Sequence, residues 1–135
     1  MHKRRTRLPS TRIETRRGWL EGRQAELLEA VQRALVAGIR IPEHDRCIRL
    51  HELPAEAMMV PADRGPSYIV IEISMFRGRS IEAKRRLYAE MVRELAAFDI
   101  PARDVKVLIH ESERHDWSVG GVALSDVELG FVVEV

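Results

Sequence analysis

The sequence predicts an α+β fold of two layers, in which two tandem βαβ units form one four-stranded, mainly parallel sheet with two helices on one face. Three observations carry that prediction. "IPEHDRCIRLHE" at 41–52 and "IPARDVKVLIHE" at 100–111 share Ile-Pro-x-x-Asp, a strand-like run and a closing His-Glu, displaced by 59 residues. An amphipathic segment of helical period precedes each copy. A strand signal precedes each of those helices.

Taken in order, "STRIETR" is a weak strand signal opened by Pro9. Leu27, Leu28, Val31 and Leu35 then recur at helical spacing, with Glu26, Glu29, Gln32 and Arg33 assigned to the wet side. Pro42 stops this helix, because the residue before a proline avoids the helical conformation. A loop at 53–67 holding Pro54, Pro61, Gly65 and Pro66 separates the two units. "SYIVIEISMF" is a strong strand signal, rich in β-branched and aromatic residues. Ser80 is the expected N-cap of the second helix, with Glu82 in its first turn. Leu87, Tyr88, Met91, Leu95 and Phe98 form its apolar stripe. Gly120-Gly121 marks a turn or a close backbone approach, and "FVVEV" at the end reads as a final short strand. The expected organisation is a basic, disorder-prone extension at 1–8 and one domain at 9–135, with βαβ repeats at 9–53 and 67–112 and a loop and strand at 113–135.

Composition narrows the function classes. At 135 residues, 45% hydrophobic and 32% charged, the chain has the balance of an ordinary soluble globular domain. Its longest apolar run is strand-sized and broken by Glu72, too short to span a membrane. The basic amino terminus has no apolar segment and is not a secretory signal. The single cysteine, Cys47, excludes an internal disulfide framework and suits a reducing cytoplasm; it is expected to be a small core residue. Residues 1–17 carry seven basic side chains against Glu14, whereas the rest carries 15 basic and 20 acidic ones. Such an arm suits an anionic surface, yet without aromatic interleaving it makes no nucleic-acid platform, and a solvated tail is the expectation.

The sharpest chemical cluster is "MFRGRS" at 75–80, which ends a strand and begins a helix. Free backbone N–H groups, the positive end of the helix dipole and the guanidiniums of Arg77 and Arg79 converge there, a recipe for gripping a carboxylate or phosphate. Two solvated arginines are the plainer alternative. The His-Glu pairs do not make a zinc motif, because no second histidine stands four residues on; their repetition points to a structural role shared by the two units. His44 beside Asp45 is not an expected acid–base pair, since adjacent side chains point apart.

The doubled βαβ unit, "FRGRSIEAKRRLY", "IPARD" and "HDWSVGG" together resemble the tautomerase superfamily, with the nearest likeness to malonate semialdehyde decarboxylase-like members. The resemblance runs over nearly the whole chain from Pro9. It implies a homotrimer, no metal or organic cofactor, and a small carboxylate substrate. It also implies roles: Pro9 at the mature amino terminus as general acid or base, and Asp45 assisting it and orienting water. Arg77 and Arg79 would hold the substrate carboxylate, with Trp117 lining the pocket.

As the sequence is written, Pro9 is internal, and an imide nitrogen neither takes nor gives a proton. Two readings therefore stay open. If translation starts at Leu8, as at a leucine-type start codon, Pro9 is the mature amino terminus of a tautomerase or decarboxylase acting on a keto or enol carboxylate. If the extension belongs to the mature chain, the fold serves as a binding or structural trimer without proline chemistry. Asp45 and then Glu14 are the bases left to an enzymatic variant of that second reading.

Overall fold

The computed structural model describes residues 9–127. The expected basic extension at 1–8 and the terminal strand "FVVEV" lie outside the described residues. The main elements are β1 (Ser10–Arg16), α1 (Gln24–Ile39), β2 (Ile48–Leu53), β3 (Ile69–Phe76), α2 (Ile81–Leu95) and β4 (Val105–Ser112). Strand order in the sheet is β2-β1-β3-β4. Each βαβ unit supplies one parallel pair, β1 with β2 and β3 with β4. The units join through the antiparallel pairing of β1 with β3, with Ser10 opposite Ser74 and Ile13 opposite Ile71. Two of the three pairings are parallel, as the repeats predict.

Side chains alternate across the sheet because a strand repeats every two residues. Thr11, Ile13 and Thr15 of β1 and Ile69, Ile71, Ile73 and Met75 of β3 are buried against the helices. Leu27, Val31, Leu35 and Ile39 of α1 and Leu87, Met91 and Leu95 of α2 complete that core. Two expectations for the helices need correction. Tyr88 is 39% exposed, because it lies at the edge of its stripe and extends past the core. Gln32 is 4% exposed rather than wet, because the segment after α1 folds back over it. The helices approach closely where Gly38 meets Leu87: a Cβ on Gly38 would stand 2.5 Å from the Leu87 Cα.

α1 stops on a residue in the left-handed conformation, Arg40 at φ 60°, whereas α2 runs on into a 3-10 turn, Ala96–Phe98, that stops on Asp99 at φ 61°. The Ile-Pro pair follows each. Ser80 caps α2 as expected, its Oγ accepting a hydrogen bond from the Ala83 N–H at 3.0 Å. The Gly-Gly dipeptide turns a two-stranded hairpin, β5 (Ser118–Val119) with β6 (Val122–Ala123). Gly120 and Gly121 both have positive φ, as a tight hairpin turn requires. Cys47 is only half-buried and therefore no core residue; its Sγ lies 3.9 Å from Ser10 Oγ. Among the described residues no helix is long and apolar enough to cross a membrane.

Among the described residues no element covers the second face of the sheet. It carries a charged row in which Glu72 Oε1 lies 2.8 Å from His110 Nε2 and 3.3 Å from Arg12 Nη2.

Two outcomes follow from this packing. Gly38→Ala should destabilise the fold by about 1–3 kcal/mol through overpacking, read as a lower urea midpoint at unchanged slope. The hydrogen bond to His110, and then Arg12, hold the Glu72 carboxyl below its ordinary value. A carboxyl lowered on folding contributes stability above its unfolded pKa and loses it as pH falls through the folded one. Glu72→Gln should therefore flatten the loss of stability measured on acidification below about pH 4.3.

Candidate active site

One end of the sheet gathers the chemically distinctive residues. The Thr11 N–H donates to the Cys47 carbonyl at 3.0 Å, and Ser10 pairs with Ser74. One residue earlier, buried Pro9 therefore sits between the approach to β2, where Asp45 lies, and the Met75 end of β3. On the far side of β3, Met75 pairs with Glu111 of β4. The loop from β3 into α2 carries Arg77, Gly78 and Arg79 across this same end.

Gly78 sets what the two arginines do. Its φ of 127° lies in the region that side chains disfavour, and the chain turns there so that its neighbours diverge. The Arg77 side chain is 60% exposed, and its Nε donates to Glu113 Oε2 at 2.6 Å. Glu113 raises its already high pKa, so it is a permanent surface cation. Arg79 turns inward and is 6% exposed. Its Nε, Nη1 and Nη2 have no hydrogen-bond partner among the described residues. Burial pushes this guanidinium's pKa down, opposed by the carboxylates of Glu111 and then Asp45.

A buried cation whose donors are all idle costs several kcal/mol unless something completes it. The planar fork of a guanidinium matches a carboxylate bidentately. The guanidinium's charge is offset within the fold by the carboxylates of Glu111 and Asp45, neither of which hydrogen-bonds to it.

Asp45 is 2% exposed. Its N–H donates to the Pro42 carbonyl at 3.0 Å, and its own carbonyl accepts from Gln32 Nε2 at 3.2 Å. His44 beside it is exposed, so the two point apart as expected. Glu111 makes an ion pair with Lys84 of α2 at 3.1 Å. In the other unit Glu52 accepts from Gln24 of α1 at 3.0 Å. The glutamate of each His-Glu pair thus ties a strand to the start of a helix, the shared structural role that the repetition suggests. Glu111 also belongs to the surroundings of Arg79, which sequence patterning alone did not reveal.

Trp117 belongs to a separate group. Its Nε1–H donates to Ser112 Oγ at 2.7 Å, and its ring stands edge-on to Phe76 at 5.4 Å. Ser112 and Phe76 are paired across β4 and β3, one residue beyond Glu111 and Met75, so by strand alternation they face the other way. The structure therefore gathers Arg79, Asp45 and Glu111, with Pro9 at the same sheet end. Arg77, Glu113 and Trp117 form a more exposed group beside them. Glu14 stands on the uncovered face five residues along β1 from Pro9, about 16 Å away, and pairs with Arg12 at 3.8 Å. Among the described residues no group of three or more His, Cys, Asp or Glu side chains is placed to hold a metal ion.

Comparison with known proteins agrees with this architecture. The family model described as tautomerase enzyme matches residues 45–120. The crystal structure of FG41 malonate semialdehyde decarboxylase inhibited by 3-bromopropiolate is similar at 34% identity and a TM-score of 0.74, over 84% of this chain and 92% of that one. Native fused 4-OT is similar at 27% identity and a TM-score of 0.77, over 86% of this chain and 96% of that one. A second fused 4-OT, an asymmetric trimer, is similar at 27% identity and a TM-score of 0.76, over the same shares of the two chains. The match to the family model over more than half of the chain, and the 34% identity to the decarboxylase along most of both chains, show that the chain belongs to the tautomerase family.

Proposed function

We propose that this protein acts on a small keto or enol carboxylate, by keto–enol tautomerisation or by decarboxylation of a β-keto acid. The observation that carries the reading is the buried Arg79 guanidinium, whose three nitrogens lack partners among the described residues. The likeness to a malonate semialdehyde decarboxylase supports a short carboxylate as its ligand.

In this reading Arg79 anchors the substrate carboxylate, and Arg77 adds a second contact on leaving Glu113. Trp117 lines the mouth of the site. Pro9 supplies acid–base chemistry when it is the amino terminus, as a secondary amine whose pKa falls toward neutrality through burial and the neighbouring guanidinium. For tautomerisation its nitrogen takes a proton from the substrate and returns it at the other end of the enol system. For decarboxylation the protonated nitrogen donates a hydrogen bond to the β-carbonyl oxygen. The bond to the carboxyl carbon then breaks, carbon dioxide leaves, and the electron pair collects as an enolate. A proton added at carbon completes the product. Asp45 orients water and balances the charge of Pro9 and Arg79.

The uncovered sheet face and the trimeric fused 4-OT support a homotrimer. A second reading, a binding or structural trimer without proline chemistry, rests on the Leu8–Pro9 peptide bond in the sequence as written.

Two measurements test the proposal. In calorimetric titration of the full chain with malonate, Arg79→Gln should weaken binding by about 10- to 100-fold, the worth of charge-assisted hydrogen bonds. Arg77→Gln should weaken it by about fivefold or less, as expected of an exposed ion pair. Equal affinity in the wild type and Arg79→Gln removes the anchor. A chain made to begin at Pro9 should turn over enol or β-keto carboxylates at least about 10²-fold faster than the full chain; equal rates would mean that Pro9 is not the acid or base.

A further inference from the structure

We infer that Gln32 is a positioning residue, which holds Asp45 in register with Arg79 by gripping the backbone that carries it. The inference rests on the proposed reading of Arg79 and Asp45 as parts of one site. Gln32 lies mid-way along α1 and is buried. Its Nε2 donates to the carbonyls of Glu43 at 3.3 Å and Asp45 at 3.2 Å. One amide thus clamps both ends of the two-peptide segment leading to Asp45. Its Oε1 is buried without a hydrogen-bond partner among the described residues. A core amide with an idle oxygen is unfavourable unless its other end does something an apolar residue cannot.

The internal repeat provides the control for a purely structural role. The apolar stripe of α1 at Leu27, Val31 and Leu35 matches that of α2 at Leu87, Met91 and Leu95, which sets Gln32 against Val92. Geometry agrees: Gln32 borders a groove with Ile48, and Val92 borders one with Val107, the two strand residues being matched in the repeat. Both units make the same turn. The Asp45 N–H donates to the Pro42 carbonyl at 3.0 Å, and the Asp104 N–H to the Pro101 carbonyl at 2.9 Å. Both aspartates are buried, at 2% and 1% exposure.

The second unit builds this turn with a valine at the matching helix position, so the turn does not require the amide. What differs is the surroundings of the aspartate. Asp104 accepts from the Gly65 N–H at 3.2 Å, a loop contact. Asp45 lies at the end of the sheet that carries Arg79. An amide grip appears only in the unit whose aspartate must stay aimed at a guanidinium.

The test is a double-mutant cycle on the full chain, read by carbon-13 NMR titration of the Asp45 carboxyl. The four proteins are wild type, Arg79→Gln, Gln32→Val and the double variant. In the wild-type background, Arg79→Gln should raise the Asp45 pKa, lowering its acid dissociation constant by about tenfold. In the Gln32→Val background the same change should be under about threefold, with thermal unfolding and circular dichroism close to wild type. A structural role alone would lower stability and leave the coupling intact, and that result overturns the inference. If Gln32→Val does not fold, Gln32→Met fills the same volume without a donor and carries the same expectation. An Asp45 pKa indifferent to Arg79 already in the wild-type background overturns both this inference and the reading of the site beneath it. Coupling retained without Gln32 overturns the inference alone.

Discussion

The site is organised around one unmet interaction: a guanidinium taken almost entirely out of water with no hydrogen-bond partner for its donors among the described residues. Folding must supply the cost of burying Arg79, and the packed core of two helices on four strands is its source. Local structure makes that burial specific. Gly78 takes a positive φ and sends Arg77 outward and Arg79 inward. Ser80 then starts α2 on a side-chain cap, which fixes where the loop re-enters the fold. Glu111 on β4 and Asp45 in the turn before β2 offset part of the buried charge without hydrogen-bonding to it.

The doubled frame shows how such a site arises on a symmetric scaffold. Arg17-Gly18-Trp19 occupies the place in the first unit that Arg77-Gly78-Arg79 occupies in the second. Gly18 and Gly78 both have positive φ, at 115° and 127°. In the first unit the indole of Trp19 donates to Thr15 Oγ1 at 3.0 Å, and the contact is complete within the chain. In the second the guanidinium is left waiting. Gln24 with Glu52 and Lys84 with Glu111 make the same strand-to-helix tie, neutral at one end and charged at the other. One backbone plan therefore places a hydrogen-bonded indole in one unit and a guanidinium without a hydrogen-bond partner among the described residues in the other.

Much of the fold was legible because its determinants are local and repeated: period-two strands, period-3.6 helices, Ser80 as cap, and Ile-Pro after each helix. The antiparallel joining of the units depends on contacts between residues about 60 positions apart, which no local pattern encodes. In the site, "FRGRS" pointed to Arg77 and Arg79, and the family resemblance to Asp45. Spacing could not separate the two arginines, because the difference between an exposed ion pair and a buried orphan lies in the turn at Gly78. Gln32 was misassigned to solvent for a similar reason. It sits one residue past Val31 at the edge of the apolar stripe, and only the returning 41–46 segment covers it. The ion pair of Glu111 with Lys84 needs β4 and α2 side by side, which the spacing of the two residues does not encode.

In the proposed function the Arg79 guanidinium, without a hydrogen-bond partner among the described residues, takes a carboxylate. Nitrogen-15 NMR of the arginine Nε–H groups, recorded on the full chain as malonate is added, observes that group directly. The account predicts one slowly exchanging Nε–H signal, assigned to Arg79 by its loss in Arg79→Gln, that shifts downfield and saturates with malonate while the exposed arginines hardly move. An Arg79 signal that is unaffected by malonate, or already shifted and protected without it, would show that the guanidinium has a partner within the protein and would contradict the claim.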